Sequence, residues 1–111
     1  FGYGLSATPL QMAQAYAIIA NGGVRKHIQW VTPGQPNQGE RIISSELAKS
    51  VTDLLVSTSE QGGTATLAQV PGVIVAGKTG TTRKHQQHGY DAQKHCAMFA
   101  GFAPAFNPKY V

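Results

Sequence analysis

The chain has 111 residues, 41% of them hydrophobic and only 13% charged, with a formal net charge of +4. Such a length suits one small domain, and the apolar content excludes a chain disordered by composition. The charged share is well below the roughly 25% of an ordinary soluble domain, so we expect more protein to cover part of this surface.

Thr8-Pro9-Leu10-Gln11 reads as a helix start, with Thr8 as cap, Pro9 at the first helical position and Gln11 completing a capping box. The helix continues to Ala20; it is rich in alanine and apolar on most sides, and is expected to be largely buried. Asn21-Gly22-Gly23 supplies a left-handed stop. Residues 24–43 read as irregular or hairpin-like, with turn chemistry over 32–39 separating two minor strands at 28–31 and 42–43. A second helix begins at Ser44 or Ser45, with Glu46 favourable in its first turn and Leu47, Val51, Leu54, Leu55 and Thr58 on one face. Gln61-Gly62-Gly63 ends it, and Thr64 then caps a short helix through Leu67 and Ala68 that stops at Pro71-Gly72.

Val73-Ile74-Val75-Ala76 is a β-branched run leading into Gly77-Lys78-Thr79-Gly80-Thr81-Thr82, read as one strand. Residues 83–93 form a polar connection, and residues 96–103 a second strand with Cys96, Met98, Ala100 and Phe102 on one face. The simplest arrangement of the two is an antiparallel pair, followed by a tight turn over 104–108. Phe1-Gly2-Tyr3-Gly4 begins inside a motif and is not a signal peptide, while Lys109-Tyr110-Val111 reads as the opening of a strand. We therefore expect the chain to continue at both ends. No apolar run approaches the roughly 20 residues that span a bilayer.

The basic residues are dispersed apart from a cluster between Arg83 and His95, with no basic helix and no aromatic-rich strand beside it. This reads as a solvated loop and not as a nucleic-acid surface. His85, His88, His95 and Cys96 supply zinc-type ligands but no regular paired spacing, and adjacent strand positions 95 and 96 face opposite ways, so no metal is expected. Gly62-Gly63-Thr64 lacks the lysine and spacing of a phosphate-binding loop, and no cofactor is expected. Tyr3, Tyr16, Trp30 and Phe99 read as packing residues, and the lone Cys96 forms no internal disulfide.

Lys78-Thr79-Gly80 is the stretch with chemical content. On an edge strand, a lysine adds positive charge beside an incoming carboxylate, a threonine hydroxyl bonds it, and a glycine lets a ligand approach the backbone closely. Three residues alone read better as a solvated edge lysine beside a bulge; their company changes this. Phe1-Gly2-Tyr3-Gly4-Leu5-Ser6-Ala7-Thr8-Pro9-Leu10-Gln11-Met12-Ala13-Gln14-Ala15-Tyr16-Ala17, then Asn21-Gly22-Gly23, Gly63-Thr64-Ala65, Val75-Ala76-Gly77-Lys78-Thr79-Gly80-Thr81 and Phe99-Ala100-Gly101-Phe102-Ala103-Pro104 occur in order. The series, which spans essentially the whole chain, resembles class B penicillin-binding proteins, and its Gly-Tyr-Gly-Leu opening is more like the septal, cell-division branch than the elongation branch.

The resemblance implies an α+β transpeptidase fold, an antiparallel sheet flanked by helices, present here as a partial domain. Residues 1–111 would be its C-terminal portion, with the nucleophile region before them and a last strand and helix after them. It implies a D,D-transpeptidase that cross-links peptidoglycan stem peptides through an acyl-serine intermediate and is trapped by β-lactam antibiotics. It further implies an anchor in the bacterial inner membrane, a periplasmic catalytic domain, and cell-division membrane proteins as partners of the full-length protein. Ser6, Ser44, Ser45, Ser50, Ser57 and Ser59 have no lysine three positions later and no asparagine two positions later, so the family's Ser-x-x-Lys and Ser-x-Asn motifs are not in this sequence. Carried onto these positions, Lys78 has the electrostatic role, and the hydroxyls of Thr79 and Thr81 meet the substrate carboxylate. The Thr81 N–H is half of an oxyanion hole, and Gly80 permits close approach. The chain alone would be inactive and prone to self-associate. A non-catalytic penicillin-recognising sensor module stays open as the alternative, and a serine β-lactamase is disfavoured by the opening helix signature.

Overall fold

The computed structural model describes residues 4–32, 34, 37–86 and 89–111, with side chains throughout except at 85–86 and 90–93. Phe1, Gly2 and Tyr3 of the opening motif, Pro33, Gln35 and Pro36 of the expected turn, and His88 of the weighed metal set lie outside the described residues.

Helix α1 spans Pro9–Ala20 and starts as expected: the Gln11 N–H donates to Thr8 Oγ1 at 3.2 Å, and the Thr8 N–H donates to Gln11 Oε1 at 2.8 Å. It stops because Gly22 and Gly23 take φ of 64° and 93°, a region open to glycine, while the Gly23 N–H closes onto the Ile18 carbonyl at 2.8 Å. The expected burial is not met. No residue of α1 is fully buried, because the described elements cover one side of it only.

The two minor strands fall elsewhere than the apolar stretches suggested. β1 is Val24–Arg25 and β2 is Glu40–Arg41, paired antiparallel, with an Arg25–Glu40 ion pair across them. Asn37 continues the ribbon by donating from Nδ2 to the His27 carbonyl at 2.6 Å. Ile28 and Ile42 are exposed, so their hydrophobicity did not select the pairing.

Helix α2 spans Ser45–Ser57, capped by Ser44, whose Oγ accepts from the Leu47 N–H at 3.2 Å. Its buried stripe is Ala48, Thr52 and Val56. The expected face is therefore only partly right: Val51, Leu55 and Thr58 are half-buried, but Leu47 is exposed and Leu54 is 67% exposed. The helix buries small and hydroxyl side chains, and just past its C-terminal end the Thr58 hydroxyl reaches the neighbouring strand.

That strand is β3, Ala76–Gln86, antiparallel to β4, Gly89–Phe102. The β-branched run at 73–75 precedes the strand instead of opening it: Val73 makes only a single bridge, to Val70. The expected polar connection is mostly ladder, since the pairing extends to Gln86 and Gly89 across a register shift between Arg83 and His85. Tyr110 forms a bridge with Ala103 beyond the turn, in line with a strand opening there.

Val56, Ala76, Phe102 and Ala105 form the core, with Tyr16, Ile19, Ala20 and Leu55 packed against it. It is small for the chain. The accessible surface is 8399 Å², against about 5,900 Å² for a compact monomer of this mass. The radius of gyration is 16.0 Å against about 13 Å. Among the described residues no helix is long and apolar enough to cross a membrane.

Candidate functional site

All four expected site residues, Lys78, Thr79, Gly80 and Thr81, lie on β3. Two hydroxyls establish which way its peptide groups face. Ser59 Oγ donates to the Val75 carbonyl at 2.7 Å, and Thr58 Oγ1 donates to the Gly77 carbonyl. Both come from the end of α2, so these two carbonyls point away from β4. On β4 the Ala103 N–H and carbonyl bond with Tyr110, at 3.0 and 3.1 Å, on the side away from β3. Peptide orientation alternates along an antiparallel strand. With Ala76 opposite Phe102 and Lys78 opposite Ala100, the even positions 76, 78, 80 and 82 bond to β4. Gly77, Thr79 and Thr81 therefore present N–H and C=O to the open edge.

Lys78 is exposed and its ammonium curls to that same edge. Nζ donates to the Thr79 carbonyl at 3.0 Å, to Thr64 Oγ1 at 3.2 Å and to Thr79 Oγ1 at 3.3 Å. Thr79 Oγ1 in turn donates to Thr64 Oγ1 at 3.2 Å. All these acceptors are neutral, and among the described residues no carboxylate pairs with Lys78. The site thus holds a full positive charge beside outward backbone donors, an arrangement suited to an anionic ligand.

Thr64 is the member that sequence reasoning misplaced. It was expected to cap a short helix. The 3₁₀ turn Thr66–Ala68 has Ala65 in the cap position and no side-chain cap bond. The Thr64 hydroxyl serves Lys78 and Thr79 instead. Its place in the Gly63-Thr64-Ala65 series was the available signal, but sequence separation hid the contact.

The two glycines of the site strand are crowded unequally within the chain. A Cβ at Gly80 meets only the flexible Met98 side chain, at 3.3 Å from Cγ, so packing within the chain does not demand glycine there. At Gly77 a Cβ meets the Phe99 ring and the Ala100 carbonyl oxygen at 2.8 Å. Of the weighed metal ligands, His95 and Cys96 occupy consecutive, oppositely facing positions of β4, and among the described residues no three His, Cys, Asp or Glu side chains converge.

The family model of the penicillin binding protein transpeptidase domain matches residues 1–111. The chain is 42% identical over 111 residues to the probable peptidoglycan D,D-transpeptidase PenA of Neisseria gonorrhoeae, covering 100% of this chain and 19% of that protein. It is 36% identical over 111 residues to the peptidoglycan D,D-transpeptidase FtsI of Escherichia coli strain K12, with the same coverage of 100% and 19%. Its fold superimposes on the apo transpeptidase domain of Burkholderia pseudomallei penicillin-binding protein 3 with a TM-score of 0.86 at 41% identity, covering 97% of this chain and 33% of that one. The chain therefore spans 19% of the length of these curated relatives, and it belongs to the penicillin-binding protein transpeptidase domain family.

Proposed function

We propose that residues 1–111 form the C-terminal portion of the catalytic domain of a peptidoglycan D,D-transpeptidase acting in septal wall synthesis, and that Lys78, Thr79, Gly80 and Thr81 form one wall of its active site. The observation that carries this reading is the open edge of β3. There the outward Thr79 and Thr81 backbone groups stand beside an ammonium whose partners among the described residues are all neutral.

In this reading a serine from the preceding part of the domain attacks the carbonyl of the stem peptide's penultimate D-alanine. The terminal D-alanine leaves with a proton, and an amine of a neighbouring stem peptide then displaces the serine. Lys78 and the Thr79 and Thr81 hydroxyls hold the terminal carboxylate. The Thr81 N–H stabilises the oxyanion as one of two donors, and losing one such donor costs on the order of a hundredfold or more in rate. A β-lactam presents the same carboxylate and carbonyl and is retained as the acyl-enzyme. The full-length protein would be anchored in the inner membrane with this domain in the periplasm, among the membrane proteins of division.

The test is acylation of the full-length protein by a fluorescent penicillin, followed by denaturing electrophoresis. The wild type should retain the label, Lys78→Ala should lose most of it at unchanged melting temperature, and the isolated 111-residue chain should retain none. Normal acylation kinetics in Lys78→Ala would remove Lys78 from the site, and label held by the isolated chain would overturn the placement of the nucleophile outside it.

A further inference from the structure

Lys78 and Thr79 do not hold themselves in place. A lysine ammonium on a four-carbon stem samples many rotamers unless its protons find acceptors. Here two of the three acceptors belong to the adjacent residue, which shares the backbone and fixes little. The third, Thr64 Oγ1, comes from a different element. It also accepts the Thr79 hydroxyl proton, so both lone pairs of one oxygen are engaged by the two side chains that the proposed function puts on the substrate carboxylate.

The loop that presents Thr64 is itself fixed. Gly63 packs so tightly on the last turn of α2 that a Cβ there would meet the Thr58 carbonyl carbon at 2.5 Å. The Ala65 N–H donates to the Thr58 carbonyl at 2.8 Å, and Ala65 is buried. Thr58 and its neighbour Ser59 are the residues that bond the Gly77 and Val75 carbonyls of β3. Thr64 is thus tied through one turn to the strand whose side chains it orients.

We infer that Thr64 is a positioning residue: its hydroxyl oxygen holds the Lys78 ammonium and Thr79 Oγ1 at the open edge of β3, and when a carboxylate takes the Thr79 proton, the Thr64 hydroxyl proton turns to Thr79 Oγ1 and keeps that contact. The inference rests on the site reading proposed above and deepens it. Thr64→Val keeps the side-chain volume and removes both bonds; Thr64→Ser keeps the oxygen.

The experiment measures the binding constant and the acylation rate constant separately for a fluorescent penicillin on the full-length protein, with a melting temperature for each variant. Thr64→Val should lower the second-order acylation constant about tenfold, the order expected for losing a hydrogen bond to a charged group at a partly solvated site. Thr64→Ser should restore most of that loss, and both should melt like the wild type. In a Lys78→Ala background, Thr64→Val should add no more than about threefold, because only the Thr79 hydroxyl is then left for Thr64 to position. Equal acylation by Thr64→Val and the wild type overturns the inference while leaving the site reading intact. A full tenfold loss added on top of Lys78→Ala, or a loss matched by a fall in melting temperature and not recovered by serine, also overturns it, since that marks a packing role. If Lys78→Ala itself acylates normally, the site reading fails, and the inference with it.

Discussion

Gly77 and Gly101 stand directly opposite each other in the β3–β4 ladder, with the Phe99 ring laid against both. They form a pair without mutual hydrogen bonds, the kind in which opposing residues approach most closely. A Cβ on Gly101 would meet the Ala76 carbonyl oxygen at 2.5 Å and the Gly77 Cα at 2.9 Å. The ring takes the space two side chains would have used, one turn of the pleat before Lys78.

Gly77→Ala should therefore be destabilising by about 1–3 kcal/mol, because the new methyl meets backbone as well as the ring. Gly80→Ala should cost little stability, since only the Met98 side chain need move. Denaturant unfolding of the full-length protein measures both. Combining Gly77→Ala with Phe99→Leu should recover part of the loss, the part due to the ring. Equal stability of the two alanine variants would refute the close packing of Gly77 against Phe99 and the Ala100 carbonyl.

The orientation of β3 makes a second comparison sharp. The Thr81 N–H faces the open edge, so proline at 81 removes no ladder bond, whereas proline at 82 removes one. Thr81→Pro should leave the melting temperature nearly unchanged and reduce penicillin acylation by on the order of a hundredfold or more, while Thr81→Ala, which keeps the N–H, is milder. Thr82→Pro should do the opposite and lower stability first. A Thr81→Pro protein that unfolds like Thr82→Pro would show that the peptide groups are in the other phase.

Much of this was legible in the sequence because it is local. The Thr8–Gln11 capping box and the Gly22–Gly23 stop need only a few neighbouring residues, and both form as read. The antiparallel pairing was legible from the apolar residues of the second strand and a short link, although the β-branched run that marked the Lys78 strand ends just before it. What failed depends on long-range geometry. Leu47 and Leu54 looked like the core face of α2, yet its buried residues are Ala48, Thr52 and Val56, and the tie to the site strand runs through the hydroxyls of Thr58 and Ser59 just past the helix. The sequence of the ladder beyond Arg83 is mostly polar, so no apolar alternation marked it as strand. Thr64 was invisible as a site residue because its partners lie 14 and 15 positions away.

Ser59 offers a third test, of how α2 is fastened to the site strand. It is buried, and its single hydroxyl proton lies within reach of both the Val56 carbonyl at 2.9 Å and the Val75 carbonyl at 2.7 Å. Val75 is buried too, and Ser59→Ala leaves its carbonyl without that donor. The expected cost is about 1–3 kcal/mol, read as a lowered denaturation midpoint at unchanged slope. An unaltered midpoint would mean that the Val75 carbonyl is bonded elsewhere and that the clamp rests on Thr58 alone.

The last prediction concerns the 111 residues expressed by themselves. Trp30 is 82% exposed and Phe106 60%, Leu54 is also bare, and α1 has no buried residue. Each large apolar side chain left in water forgoes roughly 1.5–3 kcal/mol, and a whole domain is stable by only about 5–15 kcal/mol, so a few such losses decide the outcome. Beyond Gly77, whose carbonyl Thr58 covers, the outward backbone groups of Thr79 and Thr81 also lack a strand partner among the described residues, a template for adding a strand from another copy. We expect the isolated chain to associate with itself at low micromolar concentration, to bind a hydrophobic dye and to melt without a sharp transition. Sedimentation velocity, dye fluorescence and calorimetry check these in turn. A strictly monomeric species with a cooperative melt and no dye binding would show that the exposed apolar surface is tolerated and that these residues form a self-sufficient domain.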